Sequence, residues 1–436
     1  MNGSSKIIKR IITVAVALVV LCAAFLAGFY TSKCTRDVRS SSYEWVLKTI
    51  GDNYYGEFDP GFAANASLKE IASLLDPYSQ YYTAEEYANL QNENAGNKSG
   101  LGITFNFVPG MGARIVGVVG NSPAYSAGIR SGDIITGAKY GGEEISFSLS
   151  EDLNSFLNSL GTGQEFTFVS SDGGEYVLSK REYTASYACM YTADTVWDFS
   201  SVQGGAPQLR MAASSYMDFL PSDTAYIKLS QFYGGAADEF GQLVRNFNSR
   251  SCKSLILDLR NNGGGYVSVM QDIAGYFVTD SSSAAMTAIY KNGSQQIYGI
   301  NRRAAGFPAG TRVYVLANNG TASASEALIG VLVSYGIVGY KDIFISDFSK
   351  GYTDWAGSGV KTARTYGKGI MQSTFVNYFT GEALKLTTAK IYWPNGKCIH
   401  DVGLTASDGC TVIGDVEWTA TKNDDELRKV LEIIGK

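Results

Sequence analysis

One serine lies where an acyl-transfer nucleophile would be expected. The segment VYVLANNGTASASEALIGVLVSYG (313–336) predicts a buried strand, a turn of small residues and a helix that begins near Ser323. Unpaired N–H groups and the helix dipole stabilise negative charge at such a helix start. A nucleophilic hydroxyl and a developing oxyanion need that environment. The alternative is structural, because Thr321 or Ser323 could simply cap the helix.

Three consecutive glycines follow a second predicted strand in LILDLRNNGGGYVSVM (255–270). Glycines at 263–265 allow a tight turn and present a bare N–H to a substrate carbonyl. Asp258 and Arg260 could fix this loop through a charge-assisted hydrogen bond. A plain strand-to-helix turn would have the same composition.

A lysine between two glycines is the candidate general base. Lys368 lies in RTYGKGIMQ (364–372), with Gln372 four residues further on. An ordinary lysine has a pKa near 10.4 and is charged at neutral pH. An amine buried beside a hydroxyl and away from carboxylates can instead be neutral and accept a proton. Gln372 could orient that amine, and a surface lysine is the alternative.

Predicted strands and helices alternate through the region that holds these segments. This alternation is typical of an α/β core with mostly parallel strands. The strand patterns are TAYIKLSQF (224–232), SLILDL (254–259) and RVYVLAN (312–318), and the helix patterns are AADEFGQLVRNFNS (236–249), YVSVMQDIAGYFV (266–278) and SASEALIGVLVSYG (323–336).

The residues before this core differ in pattern, so the chain as a whole is predicted to be α+β. Residues 43–94 follow a helical period, and strand-like alternation begins near residue 96. QEFTFVSSDGGEYVLSKREY (164–183) predicts a hairpin with DGG as its turn. Ser148 and Glu151 are spaced as a capping box ahead of a short amphipathic helix.

The N-terminus predicts a membrane anchor. Residues 11–30 (IITVAVALVVLCAAFLAGFY) are uncharged and follow Lys6, Lys9 and Arg10. About twenty apolar residues suffice to cross a bilayer, and a basic flank stays on the cytoplasmic side. The expectation is a single-pass cell-membrane protein with its remaining domains extracytoplasmic; a cleaved signal peptide is the alternative.

Composition excludes several classes of function. The formal net charge of −5 provides no basic surplus for nucleic acid. A single histidine, His400, excludes multi-histidine metal sites, and nothing in the sequence implies a metal or another cofactor. None of the six cysteines forms a CxxC pair; Cys398 and Cys410 could bridge or stay free.

Taken together, the segments resemble the carboxy-terminal processing, or tail-specific, serine peptidase family, which carries a PDZ domain. The resemblance spans roughly residues 43–410. Its landmarks occur in order: LDPYSQYYTAEEY (75–87), GLGI (100–103), NSPAYSAGIRSGDII (121–135), YIKLSQF (226–232), DLRNNGGG (258–265), NGTASASEA (319–327), GKGIMQ (367–372) and YWPNGKCIHDVGL (392–404).

The resemblance implies a role for each candidate residue. Ser323 would be the nucleophile, Lys368 the general base and Gln372 the residue that positions the lysine. The oxyanion hole would use N–H groups of Ala324 and of Gly264 or Gly265. In the PDZ-like domain, Gly100, Leu101, Gly102 and Ile103 would bind the terminal carboxylate of a peptide tail. The peptidase core would be of the crotonase/Clp-like type.

The implied domains are an anchor (1–34), a helical segment (35–95), a PDZ-like domain (96–185) and a serine peptidase domain (186–436). The expected function is a membrane-anchored serine endopeptidase whose partners are protein C-termini and the lipid bilayer; the sequence leaves a homo-oligomer open. The alternatives are a PDZ-bearing scaffold without activity and another acyl-transfer enzyme on a related fold.

The sequence departs from the family pattern at several positions. An insertion that includes Lys350 and Lys361 separates Ser323 from Lys368, and only Lys368 has the GKGxxQ context. Gly263 stands where the family commonly has proline, and residues 196–218 match no family segment. His400 is interpreted as structural rather than catalytic, because no orienting acid for a triad is identified.

Overall fold

A computed structural model describes residues 42–63, 66–201, 207–280, 282–301, 303, 305–346, 363–413 and 424–435. The predicted membrane segment (11–30), Lys350 and Lys361 lie outside these ranges. Among the helices of the described ranges, none combines the length and apolar character that a bilayer span requires.

The chain divides into two compact units. The first contains the chain through Ala88 together with Gln372–Thr388, and the second contains Asn89–Met371 and Ala389–Lys436. The 96–185 segment therefore belongs to the same unit as most of the predicted core, while the four domain boundaries stay a prediction.

The N-terminal residues form the helices that their periodicity predicts. Ser67 and Glu70 cap the second helix reciprocally, since the Glu70 N–H donates to Ser67 Oγ and the Ser67 N–H donates to the Glu70 carboxylate. The elements are α1 (residues 42–53), a 3-10 turn (Pro60–Ala63), α2 (Leu68–Ser73), β1 (Gln80–Tyr82) and α3 (Ala84–Asn94).

Residues 97–184 form a β-rich module with its own apolar core. Its main sheet has the order β3-β4-β5-β7-β8, with β6 paired to β5, while β2 and β9 form a separate ribbon. Phe166 and Phe168, on alternate residues of β7, point into a core that also includes Phe147 and Phe156. The elements are β2 (Asn97–Gly100), β3 (Ile103–Val108), β4 (Gly112–Val118), α4 (Pro123–Ser126), β5 (Ile134–Tyr140), β6 (Glu143–Ser146), α5 (Ser150–Ser159), β7 (Glu165–Ser170), β8 (Glu175–Ser179) and β9 (Arg181–Thr184).

The hairpin predicted at DGG is β7–β8, but the predicted capping box is displaced by one residue. Asp152, not Glu151, accepts the N–H groups of Ser148 and Leu149, each at 2.8 Å. The helix starts at Ser150, so the carboxylate that faces the free N–H groups comes one position later.

The α/β prediction for the core is confirmed. An eight-stranded sheet has the order β12-β11-β10-β13-β14-β17-β18-β21, and the last five of these strands are parallel. The elements are β10 (Ala188–Tyr191), β11 (Thr195–Ser200), β12 (Gln208–Ala213), β13 (Thr224–Leu229), α6 (Ala236–Ser249), β14 (Ser254–Asp258), α7 (Val267–Ala274), β15 (Ala284–Tyr290), β16 (Gln295–Gly299), β17 (Arg312–Ala317), α8 (Ala324–Ser334), β18 (Ile343–Ser346), β19 (Ile370–Val376), β20 (Ala383–Tyr392), β21 (Thr411–Ile413) and α9 (Asp425–Ile434).

Both faces of this sheet are covered, which explains why its central strands are apolar throughout. Leu255 and Leu257 of β14 belong to the large core that α6, α7 and α8 complete. Ile256 points to the opposite face and packs in a core with Leu427 and Val430 of α9, a helix that the sequence analysis did not identify. Cys398 and Cys410 are both free thiols.

The unmatched segment 196–218 supplies the two strands at one edge of the sheet. β11 and β12 pair antiparallel from Thr195↔Ala213 to Ser200↔Gln208. Asp198 accepts a bidentate pair from Arg210, at 2.9 and 2.7 Å, and a hydrogen bond from the Tyr125 hydroxyl at 2.9 Å. Because Tyr125 lies in α4, this hairpin connects the β-rich module to the core sheet.

A buried glutamate holds the peptide that joins the module to the core. Glu239 of α6 accepts the N–H groups of Tyr187 and Ala188, at 2.8 and 3.0 Å, on one carboxylate oxygen. Burial raises the pKa of Glu239 to about 7, although these hydrogen bonds oppose the rise.

Folding stability should therefore fall as the pH rises through 7. The folded state holds the Glu239 proton more tightly than the unfolded chain does. The stabilisation that this proton provides is fully present below the pKa of Glu239 in the unfolded chain, and it is lost as the pH rises above about 7. Wild type should lose about 3 kcal/mol of unfolding free energy between pH 4.5 and 8 relative to Glu239→Gln. The glutamine can still accept both N–H groups through its carbonyl oxygen.

Urea unfolding curves at several pH values measure this difference. Glu165→Gln, at an exposed position of β7, is the control and should keep the wild-type pH dependence. Parallel pH profiles for wild type and Glu239→Gln would contradict the assignment.

Candidate active site

Ser323 occupies the position directly before the first turn of α8. Its backbone has φ 57° and ψ −116°, a conformation that residues with a side chain rarely adopt. Such strain persists only where neighbouring contacts impose it, and it is concentrated at functional sites. The side chain is half-buried at the end of β17.

Hydrogen bonds tie the Ser323 turn to the glycine loop. The Asn262 carbonyl accepts the Ala322 N–H at 3.0 Å and the Ser325 hydroxyl at 2.9 Å. Asn318 accepts the Asn261 N–H at 2.9 Å and donates its amide to Asn261 Oδ1 at 2.9 Å. The two loops predicted from separate motifs therefore form one assembly, and their contacts keep Ser323 in its strained conformation.

The N–H groups around Ser323 are not equally available. The Gly264 N–H donates to Asn262 Oδ1 at 3.0 Å, so it is already engaged. Ala324 is the first residue of α8, and an N–H at that position has no partner within its own helix. Within the described residues the Gly265 N–H also lacks an acceptor. Ala324 and Gly265 are therefore the available donors of the predicted set.

Gly264 leaves space in front of these donors. A Cβ at this position would lie 2.8 Å from the Ala324 nitrogen and 2.9 Å from the Ser323 Cβ. The residue also has φ +98°, which disfavours any side chain. Any residue other than glycine here would fill the space beside the Ser323 side chain and the Ala324 N–H.

Gly264→Ala should reduce reaction at Ser323 about 10²-fold or more, the loss typical when one oxyanion donor is removed. Labelling of Ser323 by a fluorophosphonate and a thermal melt measure reactivity and folding on the same sample. Gly263→Ala is the matched control, because a Cβ there meets no atom within 4 Å. Equal labelling of both variants would show that Gly264 does not shape the site.

A buried carboxylate holds the Ser323 and Lys368 backbones together. Glu326 Oε2 accepts the Ser323 N–H at 3.0 Å and the Lys368 N–H at 2.9 Å, which places these two nitrogens within about 6 Å of one another. Its other oxygen accepts the Thr365 hydroxyl at 2.6 Å and the Gly367 N–H at 2.8 Å. Burial raises the pKa of Glu326, while the four donors act in the opposite direction.

Sequence reasoning missed Glu326, although a signal was present. Ser323 and Glu326 have the three-residue spacing of a capping box, and the Glu326 side chain accepts the Ser323 N–H as that motif requires. The motif does not reveal that the same carboxylate also binds Thr365, Gly367 and Lys368.

Gln372 belongs to the first unit, and its Nε2 donates to Thr387 Oγ1 of the same unit at 3.2 Å. Its role in orienting the Lys368 amine stays a prediction. His400 has its backbone beside the lysine turn, since a Cβ at Gly369 would lie 2.6 Å from the His400 nitrogen. Its Nε2 lies 3.5 Å from Asp401 Oδ2.

The predicted Asp258–Arg260 pair is present and belongs to a larger buried cluster. Arg260 donates to Asp258 through Nε at 3.1 Å and Nη2 at 2.7 Å, and it also binds Asp424 and Glu426 beside α9. Burial opposes ionisation of Asp258, but Arg260 and Lys228 outweigh it and hold the pKa of this carboxyl below its ordinary value. The cluster fixes the start of the glycine loop.

The 100–103 loop lies at the edge of the β-rich module. Gly100 and Gly102 have φ +123° and +74°, and a Cβ at Gly102 would lie 2.2 Å from the Ser122 Cβ. The Leu101 carbonyl accepts the Ala124 N–H at 3.1 Å, while Ile103 begins β3. Only glycines allow the chain to turn this closely against the start of α4.

The module also touches the glycine loop directly. Asn261, which has φ 61°, donates its side-chain amide to the Val116 carbonyl of β4 at 3.0 Å.

Among the described residues, no three His, Cys, Asp or Glu side chains converge as a metal site would require. The candidate site brings the backbones of Ser323 and Lys368 together at Glu326.

Known proteins resemble this chain in sequence and fold. The model of the family described as Peptidase family S41 matches residues 223–341, which include the glycine loop and Ser323 but end before Lys368. A carboxyl-terminal-processing protease from Synechocystis sp. is 27% identical over 336 residues, covering 77% of this chain and 67% of the relative. Residues 223–341 thus match the S41 peptidase family, and the chain resembles carboxyl-terminal-processing serine peptidases.

A further relative and one solved structure show how far the likeness in sequence and in fold extends. Carboxyl-terminal-processing peptidase 3, chloroplastic, from Arabidopsis thaliana is 28% identical over 359 residues, covering 80% of this chain and 60% of that protein. The chain thus spans less than two thirds of that relative's length. A Bacteroides fragilis protein described as an S41 protease shares the fold, with a TM-score of 0.58, 16% identity and coverage of 90% of this chain and 97% of that one.

Proposed function

We propose that this chain is a membrane-anchored extracytoplasmic serine endopeptidase that cleaves with a Ser323–Lys368 dyad and recognises protein C-termini through a PDZ-like module. The observation that carries the proposal is the single Glu326 oxygen that accepts the N–H groups of both Ser323 and Lys368. Residues 45 positions apart in sequence are thereby held at one site.

Acylation would begin with the Ser323 hydroxyl. Its Oγ attacks the scissile carbonyl carbon while its proton passes to the neutral Lys368 amine. The carbonyl oxygen becomes an oxyanion, which the N–H groups of Ala324 and Gly265 would stabilise. When the C–N bond breaks, the protonated Lys368 gives the proton to the leaving amine, and Ser323 is left as an ester.

Deacylation would reverse these roles. A water molecule gives a proton to Lys368 as it attacks the ester, and the second oxyanion uses the same donors. Lys368 then returns the proton to Ser323 Oγ as the acid product leaves. Gln372 would orient the amine, and neither half-reaction needs a metal or another cofactor.

Glu326 would act as a positioning residue rather than as a base. Both oxygens of its carboxylate already accept hydrogen bonds, from four donors in all, and the side chain is fully buried. Its carboxylate binds the backbone N–H groups, not the side chains, of the two residues proposed as catalytic.

Ser323→Ala and Lys368→Ala should each lower peptide cleavage by about 10³-fold or more, because the two groups act as a unit. A fluorogenic peptide with an apolar C-terminus measures the rate, and circular dichroism checks the fold. Lys341→Ala, which changes an exposed lysine, should keep wild-type activity.

The same assay decides between the peptidase and the scaffold. Folded wild type that binds peptide tails but cleaves none of a varied peptide set would support the inactive scaffold. Retained cleavage in Lys368→Ala would place the general base elsewhere, with Lys350, Lys361 and His400 the next residues to test.

Tail recognition would use the 100–103 loop and the edge of the β-rich module. An extended peptide can add as a strand to a sheet edge while backbone N–H groups hold its terminal carboxylate. The contact between Asn261 and Val116 gives the module a direct route to the glycine loop. Tail binding could thus influence the oxyanion donors.

A peptide with an amidated C-terminus should be cleaved at least about 10-fold less efficiently than the free acid, a difference of about 1.4 kcal/mol. Measurement of kcat/KM for both forms tests this, and N-terminal acetylation of the same peptide is the control that should change nothing. Equal values for the amide and the acid would exclude carboxylate recognition.

A further inference from the structure

Two consecutive aromatic side chains project fully into solvent at the turn between β19 and β20. Tyr378 is 93% exposed and Phe379 is 101% exposed. Large apolar side chains exposed together, unlike single ones, mark a contact surface. We call Tyr378 and Phe379 the aromatic tip.

The turn that carries the aromatic tip is well held by hydrogen bonds. The Asn377 carbonyl accepts the Gly381 N–H at 2.7 Å, and Asn377 Oδ1 accepts the Phe379 N–H at 3.1 Å. The Asn377 N–H donates to the Glu382 carbonyl at 2.8 Å. The exposure therefore follows from a defined turn, in which the backbone directs the rings outward.

The base of the turn is bonded to the start of the first described helix. The Ser42 hydroxyl donates to Glu382 Oε2 at 2.7 Å, and Glu382 also accepts the Thr380 hydroxyl at 2.8 Å. Trp45 of α1 and Tyr378 line the same open groove of about 390 Å³. The aromatic tip thus lies near Ser42, the first described residue of α1.

The length of the preceding segment limits how far this end can lie from a bilayer. Residues 31–41 connect the apolar stretch, which ends at Tyr30, to Ser42. Even a fully extended connection of this length reaches only about 40 Å. The connection carries Lys33, Arg36 and Arg39 against one acidic residue, Asp37, so any anionic headgroups in the leaflet that it faces would attract it.

We propose that Tyr378 and Phe379 insert into the interfacial layer of the bilayer that residues 11–30 would span. The inference rests on the membrane anchoring proposed above. Tyrosine and tryptophan favour this layer, because an apolar ring and a polar group can be satisfied there together. The membrane contact would hold the first unit at the lipid surface by a second point besides the anchor.

The size of the aromatic tip favours lipid over a second protein. Two aromatic side chains bury about 300–500 Å² in total, whereas a stable protein interface needs about 800 Å² from each partner. A lipid surface has no such minimum, since the anchor already supplies the attachment and the tip adds to it.

Fluorescence of the full-length protein in lipid vesicles tests the proposal. Phe379→Trp places an indole at the aromatic tip, and Leu74→Trp places one at another exposed apolar position of the first unit, where Leu74 is 61% exposed. Vesicles of phosphatidylcholine and phosphatidylglycerol are compared with matched vesicles whose acyl chains are brominated near the headgroup. The emission of wild type, with its own tryptophans, is subtracted.

The brominated lipid should lower the added emission of Phe379→Trp about twofold or more and leave that of Leu74→Trp unchanged. Equal quenching of both indoles, or quenching of neither, would overturn the proposal. A concentration-dependent blue shift of Phe379→Trp in detergent, without quenching in vesicles, would assign the aromatic tip to a second copy of the chain.

Two further measurements separate this inference from the proposed function. An alkaline carbonate wash of the same vesicles reports the anchor, and peptide cleavage by Phe379→Trp reports the enzyme. If the wash removes the protein from the vesicles, or if the protein does not cleave peptide, while Phe379→Trp is still quenched, the proposed function alone is contradicted. Intact anchoring and cleavage without quenching would contradict the membrane contact alone.

Discussion

A single buried carboxylate joins the segments that form the candidate active site. Glu326 accepts donors from Ser323, Thr365, Gly367 and Lys368, and it has no exposed surface. A buried carboxylate is costly unless its lone pairs are satisfied, and here four donors satisfy them. The reverse also holds for Thr365, Gly367 and Lys368, because these donors would lose their buried acceptor if the lysine turn moved away from Glu326. The position of Lys368 relative to Ser323 is therefore set by charge burial as well as by apolar packing.

A second buried charge cluster plays the same part for the glycine loop. Asp258 ends β14 and binds Arg260, which in turn reaches Asp424 and Glu426 at the C-terminal helix. Removal of one member would leave a buried charge uncompensated, a change that commonly costs several kcal/mol. The loop that presents Gly264 and Gly265 beside Ser323 thus depends on residues that lie more than 160 positions after Arg260 in the chain.

Local patterns predicted the elements of this fold far better than the contacts between them. The helix pattern at AADEFGQLVRNFNS matches α6 (Ala236–Ser249) to the residue. A buried stripe with a period of 3.6 residues can be recognised from one continuous stretch of sequence, without knowledge of distant contacts. The capping residue before α5 was placed one position too early, since Glu151 and Asp152 have the same chemistry and only the backbone decides between them. The family resemblance placed Ser323 and Lys368 in one site, but nothing in either motif pointed to Glu326 as their shared acceptor. Similarly, no local signal indicated that Asp198 would meet Tyr125, which precedes it by 73 residues.

The contacts of Asp198 bear on how freely the β-rich module can move. This side chain is only 3% exposed and bonds to Arg210 within its own hairpin and to Tyr125 of the module. On the neighbouring strand connection, Glu239 bonds to the peptide that enters the core. A module that swung outward would have to break the Tyr125 bond, bring water to the Asp198 carboxylate and strain the joint that Glu239 clamps. The β11–β12 hairpin therefore attaches the module to the core at a second place besides the chain connection, and any outward movement of the module would cost the free energy of these buried contacts.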